Sequence, residues 1–220
     1  MSRGSHGHTH WVRGEDCSAP DCYRLLSVNS FNDAVWGLGK YTVLTADQGY
    51  QYSYFGQLIH EIKYRNETNS AYDERIAKLA NSVFEFSVQM LNVPFDCCVT
   101  IPSNRNSASS EMQLLAENLQ ALGVCKHFEV LEKDGQVPVM KSIPPDQRRA
   151  ALREKYFFRN DCKLGDNAKI LVLDDVYESG ASMQAAMGAV FRDDPNRFQL
   201  EAWKITGLAV TYLRDPKVKP

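Results

Sequence analysis

The stretch that most limits what this chain can become runs from residue 168 to residue 182, Ala-Lys-Ile-Leu-Val-Leu-Asp-Asp-Val-Tyr-Glu-Ser-Gly-Ala-Ser. Ile170 to Leu173 are four apolar residues in succession, the pattern of a strand buried on both faces rather than one. Asp174 and Asp175 end the run. The small residues Ser179, Gly180, Ala181 and Ser182 then open onto a helical stripe of Met183, Ala186, Met187 and Val190. A strand with two buried faces needs a layer on each, so the stretch predicts an α/β fold: a mainly parallel sheet with helices on both faces.

The rest of the chain agrees with that architecture. Ala34 to Leu44 alternates as a strand or hairpin, and Phe55, Leu58, Ile59 and Ile62 recur at helical spacing. Ile76, Leu79, Ala80 and Val83 mark a longer helix ending near Leu91. Phe95 to Ile101 reads as a core strand stopped by Pro102. Met112 to Leu122 reads as a helix capped by Ser109 or Ser110 and closed at Gly123. His127 to Leu131 is a candidate strand, 146–157 a basic helix, and Gln199 to Leu213 one or two final strands. The first thirty or so residues carry Gly, Ser, His and charge without periodicity, which predicts an arm over 1–30, tag-like at His6, His8 and His10, before a domain over 31–220.

Ligands of open α/β sheets sit beyond the carboxyl ends of the strands, where a following helix presents free N–H groups to anions. Residues 174–182 occupy that position. Gly180 allows close backbone approach to a phosphate, and Ser179 and Ser182 add hydroxyl donors. Asp174 and Asp175 accept hydrogen bonds from vicinal sugar hydroxyls, or hold a hydrated Mg²⁺ already bound by diphosphate. These residue types suit a phosphorylated sugar.

Four apolar residues, two acids, a further acid at Glu178 and Ser-Gly-Ala-Ser at a strand-to-helix junction resemble the phosphoribosyl pyrophosphate (PRPP) motif of type I phosphoribosyltransferases. Tyr54-Phe-Gly-Gln-Leu-Ile-His-Glu-Ile-Lys-Tyr-Arg65 looks like the segment by which the competence-protein ComF branch enters its domain. Ile101-Pro-Ser-Asn104 and the basic run Gln147 to Phe158 match two further elements, so the similarity touches most of 50–213. Three features depart from that branch. Cys17 and Cys22 stand alone where a four-cysteine zinc ribbon is common, and two ligands do not close a tetrahedral site. Arg105-Asn-Ser-Ala-Ser replaces an expected Arg-Gly-Phe-Asn, and Glu178 replaces a small or hydroxyl residue or Asp.

The resemblance implies transfer of a phosphoribosyl group from PRPP to a nitrogen nucleophile, base or amine, with release of pyrophosphate and Mg²⁺ as cofactor. It makes Asp174 and Asp175 the sugar or metal carboxylates, and Tyr177, Ser179, Gly180, Ala181 and Ser182 the 5′-phosphate loop. Glu178 becomes a proton acceptor or an exposed helix-start acid. Ser103, Asn104 and Arg105 are pyrophosphate contacts or an ordinary loop. Arg148, Arg149 and Arg153 close over the site from a mobile segment or form a solvated face. Lys63 and Arg65 read as packing or solvent-exposed cations, and Tyr177 also as a lid on the sheet. Two other functions are compatible with the same loop: a non-catalytic sensor of PRPP or a nucleotide, and a ComF-type accessory of DNA uptake.

Composition narrows the partners. A net charge of −2 on 220 residues gives no broad field for direct nucleic-acid binding. No apolar run of membrane-spanning length occurs, the start lacks a secretory pattern, and the six scattered cysteines read as reduced thiols. A cytoplasmic protein is expected, its partner PRPP or a phosphoribosyl nucleotide, with a homodimer compatible and the acceptor unnamed.

Overall fold

The computed structural model describes residues 24–28, 34–45, 49–64, 69–102, 111–135, 142–144, 147–161 and 163–213. In chain order they form β1 (Arg24–Val28), β2 (Ala34–Lys40), β3 (Thr42–Thr45), β4 (Gly49–Tyr52), α1 (Tyr54–Tyr64), α2 (Asn69–Met90), β5 (Phe95–Thr100), α3 (Glu111–Ala121), β6 (Cys125–Val130), β7 (Glu132–Lys133), α4 (Arg148–Leu152), β8 (Tyr156–Phe157), β9 (Lys169–Tyr177), α5 (Ala181–Asp193) and β10 (Lys204–Tyr212). The main sheet has the order β1-β2-β10-β9-β5-β6, antiparallel only between β1 and β2.

The four-residue apolar run lies at the centre of this sheet. Ile170 and Val172 pack into one core with Met183, Ala186 and Val190 of α5, while Leu171 and Leu173 enter a second core with α1, α2 and α3. All four are fully buried. The alternation of a strand sends neighbours to opposite faces, so the run stabilises both layers, each side chain contributing roughly 1.5–3 kcal/mol. The architecture is the expected one, mainly parallel with helices on both faces.

Several boundaries differ from the sequence reading. β1 falls inside the stretch assigned to the arm: Leu25 pairs with Trp36, so the sheet reaches back to Arg24. A five-residue edge strand buries only one face, here Leu26, and carries little periodic signal. Residues 1–23, with Cys17, Cys22 and the three histidines, lie outside the described residues. β2 does not turn back on β3; it joins the main sheet beside β10, and β3 pairs with β4 instead.

The basic helix is short. α4 covers only Arg148–Leu152, because Arg153 is extended and Glu154 adopts φ 60°, and the chain then pairs Tyr156 with Lys133 in a two-residue ladder. Burial of Tyr156 and Phe158 in the α5-side core overrides the helical pattern. Lys155 to Asp134 at 2.6 Å and Arg159 to Glu132 at 2.7 Å clamp that ladder at the base of the segment carrying α4.

The entry to α1 explains another glycine. The Ser53 hydroxyl donates to the Lys40 carbonyl and accepts from the Gly56 N–H at 3.0 Å. A Cβ at Gly56 would lie 1.8 Å from the Tyr41 carbonyl oxygen. α1 is thereby drawn against the carboxyl end of β2. Among the described residues, no helix is long and apolar enough to cross a membrane.

Candidate functional site

β9 continues past its apolar run through Tyr177, which pairs with Tyr212 of β10. Asp174 and Asp175 therefore lie within the ladder and not after it, and successive strand residues project to opposite faces. Asp174 lines the cleft beneath the α5 N-terminus. Asp175 pairs with Lys63 of α1 on the other layer. The two acids do not converge on one point.

α5 starts at Ala181, preceded by Gly180 in the left-handed region (φ 73°, ψ −1°) with no side-chain cap. That conformation favours glycine, and a Cβ would also meet the Tyr177 hydroxyl at 2.4 Å. Ser179 Oγ approaches the Ala181 N–H only at 3.5 Å, and the first backbone bond of the helix is Gln184 N–H to the Gly180 carbonyl at 2.9 Å. The N–H groups of a helix's first turn have no intrahelical acceptor, and here residues 178–183 line a cleft of about 80 Å³. Such an end attracts anions.

Electrostatics separate the three acids. Arg148 reaches into the cleft, mostly buried; its Nη1 lies 2.9 Å from a Glu178 carboxylate oxygen and its Nε donates to the Ile143 carbonyl at 3.0 Å. Glu178 and Asp175 thus each have a cation. Burial pushes the Asp174 carboxyl up to about 7, with the Lys63 charge pulling it back in part. Its Oδ1 accepts from the Asp175 N–H at 2.9 Å. Tyr156, pushed up to about 12 by burial and then by the Asp174 charge, shares a hydrogen bond with the Ser182 side chain. A protonated phenol therefore steadies the start of α5 beside Asp174.

No family model matches the chain, and no curated protein matches it. Among solved structures it is similar to adenine phosphoribosyltransferase from Saccharomyces cerevisiae, at 15% identity and TM-score 0.41 over 78% of this chain and 82% of that one. Adenine phosphoribosyltransferase from Leishmania tarentolae is similar at 10% identity and TM-score 0.41, over 74% and 91%. A hypoxanthine phosphoribosyltransferase from Staphylococcus aureus is similar at 10% identity and TM-score 0.39, over 65% and 76%.

Apart from Asp175, which pairs with Lys63 on the other layer, the expected site residues divide into three groups. Asp174, Tyr177, Glu178, Ser179, Gly180, Ala181, Ser182 and Arg148 meet around the cleft. Arg149 and Arg153 do not: both line a different concavity on the outer side of α5, because neighbouring residues of a short helix face different ways. Ser103, Asn104 and Arg105 lie outside the described residues. Their strand does end beside the site, since Ile101 donates to the Leu173 carbonyl at 3.2 Å.

Sequence reasoning undervalued Lys63 and overlooked Tyr156. Lys63 lies 112 positions from Asp175, and no local pattern ties them. Beside Lys63, the exposed Tyr64 and the half-buried His60 continue an aromatic layer from Tyr41 through Tyr52, with centroids 5.4, 4.5 and 5.1 Å apart in turn. His127 is exposed on edge strand β6.

For Mg²⁺, the donor chemistry is that of a shared ion. Among the described residues no cluster of three or more metal-ligating side chains occurs, Asp175 is engaged by Lys63 and Glu178 by Arg148, and Asp174 is the remaining carboxylate that lines the cleft. Mg²⁺ characteristically takes one or two protein carboxylates and completes its shell with substrate phosphates and water. The site fits an ion that arrives with a diphosphate, not one held by the protein alone.

Proposed function

We propose that this chain is a type I phosphoribosyltransferase-like enzyme that binds PRPP with Mg²⁺ and transfers the phosphoribosyl group to a nitrogen nucleophile, releasing pyrophosphate. The observation that carries the reading is the uncapped α5 N-terminus, with Gly180 left-handed and Asp174 beside it, at the carboxyl edge of the central strands. Backbone N–H groups of residues 180–183 and the Ser179 and Ser182 hydroxyls bind the 5′-phosphate. Asp174 accepts from the ribose hydroxyls. Arg148, paired with Glu178 at 2.9 Å, turns its charge to the bound phosphate, and that exchange releases Glu178 to accept the proton that the attacking nitrogen loses.

The acceptor nitrogen forms a bond to C1 as the C1–O bond to pyrophosphate breaks, through a transition state with oxocarbenium character. The protein's contribution is to orient both partners and stabilise charge. Mg²⁺, with Asp174 as its protein carboxylate, would offset the charge of the leaving diphosphate. Lys63 belongs to the ComF-like segment 54–65, and in this reading it neutralises Asp175 at the back of the sugar. A cytoplasmic setting fits a PRPP-dependent reaction.

A sensor of PRPP is the second reading. It is favoured by one observation: Asp175 and Glu178 are both held in ion pairs, which suits binding better than proton transfer. Calorimetric titration with PRPP and MgCl₂ tests the shared premise; no binding, or binding unchanged in Asp174→Ala, sinks both readings. Pyrophosphate release with a panel of bases and amines then separates them, since turnover with any acceptor excludes a pure sensor.

A further inference from the structure

On the outer side of α5 a second concavity, of about 620 Å³, opens between α4 and α5. Ala150, Ala185, Gly188 and Ala189 form its floor, and Arg149, Arg153 and Arg192 stand around it with Glu154, the single acid among the described lining residues. Its size falls within the roughly 300–1,000 Å³ of small-molecule sites.

Gly188 sits inside α5, where glycine costs about 1 kcal/mol relative to alanine. Gly56 and Gly207 have close neighbours at their Cβ positions, at 1.8 and 2.9 Å, whereas no described atom lies within 4 Å of a Cβ at Gly188. Close packing of this protein on itself therefore does not account for the glycine. What the residue provides is a flat, open floor.

The rim has spare positive charge. Arg192 donates to the Tyr156 carbonyl at 2.6 Å and stacks over Phe157, so it is fixed in place. Arg149 makes no ion pair among the described residues, and the acid paired with Arg153 is its exposed neighbour Glu154, at 3.9 Å. Guanidinium groups match carboxylates and phosphates in planar geometry and stack on rings. A second copy of this chain is a poor occupant, because a two-fold contact would set arginine against arginine.

We propose that this groove binds a flat aromatic anion, its ring on the Ala150–Ala185–Gly188–Ala189 floor and its charged group on Arg149 and Arg153. The site is separate from the phosphate cleft but shares both helices with it: α4 sends Arg148 into the cleft and Arg149 into the groove. The inference does not depend on what the cleft binds.

Anilinonaphthalene sulfonate, an aromatic anion whose fluorescence reports binding, provides the test on the full chain, with AMP as competitor and adenosine as the uncharged control. Saturable binding displaced by AMP and not by adenosine is expected in the wild type. Gly188→Leu, which fills the floor, and the exposed double variant Arg149→Glu with Arg153→Glu should each weaken the probe by about tenfold or more. Thermal midpoints should stay within a few degrees, and Asp174→Asn should leave probe binding unchanged. Full-strength probe binding in both groove variants overturns the proposal. So does Gly188-dependent binding of an acidic helical peptide with no binding of the probe, which would make the groove a protein-docking site.

Discussion

The start and the middle of α5 solve opposite problems. At its N-terminus the cleft is small and polar, and two of its neighbouring acids are already matched by Arg148 and Lys63. Halfway along, the α4–α5 groove is several times larger, floored by small side chains, and rimmed by arginines in excess of acid. Preorganised backbone donors and balanced charge suit one compact phosphate held in a fixed orientation. A wide floor with uncommitted guanidinium groups suits a broader ligand. Glycine appears at both places for different reasons: Gly180 because its backbone is left-handed and Tyr177 lies over it, Gly188 because nothing does.

That contrast breaks most directly at Gly180. Gly180→Val forces a side chain into the Tyr177 hydroxyl and a left-handed backbone on a β-branched residue, and PRPP binding should fall more than about 100-fold by calorimetry. Groove binding should be unaffected. If PRPP affinity survives, α5 is not the phosphate cradle.

Arg148→Ala comes next. It leaves Glu178 beside the bound phosphate without its cation, so PRPP affinity should drop by about 10- to 100-fold, with part of the loss recovered in the Arg148→Ala, Glu178→Gln double variant. Absence of any recovery would mean that the Arg148–Glu178 pair is only structural.

Asp174 sharpens the comparison through pH. Its folded-state pKa, raised to about 7 from an ordinary 3.8, means that the native state holds this proton more tightly than the unfolded chain. Its contribution to stability is therefore complete below about pH 4 and is lost as pH rises through about 7, by up to a few kcal/mol. Urea midpoints of the wild type should decline across that window more steeply than those of Asp174→Asn. Ligand binding should run the other way, because the ionised carboxylate is the better acceptor for sugar hydroxyls and metal: PRPP affinity should rise through pH 7.

The smallest effect is expected at Gly188→Ala. Removing a mid-helix glycine where nothing packs should raise stability by about 0.5–1 kcal/mol in urea unfolding while reducing probe binding in the groove only modestly. A loss of stability would reveal an unrecognised packing partner.

The loop itself was legible from residue types alone, because a buried strand, paired acids and a small-residue turn are local patterns. α1, α2 and α5 were legible for the same reason: their apolar stripes recur every three to four residues. The site's charge balance was not. Lys63 read as a packing or solvent-exposed cation and Arg148 as one of three equivalent arginines, and only the packing of α1 and α4 against the carboxyl edge of the sheet distinguishes them. The basic helix over 146–157 also failed as a local prediction, since Tyr156 and Phe158 gain more by entering the core than Arg153 and Glu154 gain by staying helical.

By itself the sequence determined that this chain builds an α/β sheet with a small-residue turn between its central strand and the next helix, because periodicity and turn chemistry act between near neighbours. Tertiary structure alone decided that β9 runs on to Tyr177 through pairing with β10, which turns Asp174 toward the cleft and Asp175 toward Lys63. Strand length, face and ion pairing depend on contacts between residues tens of positions or more apart, and no local pattern records them.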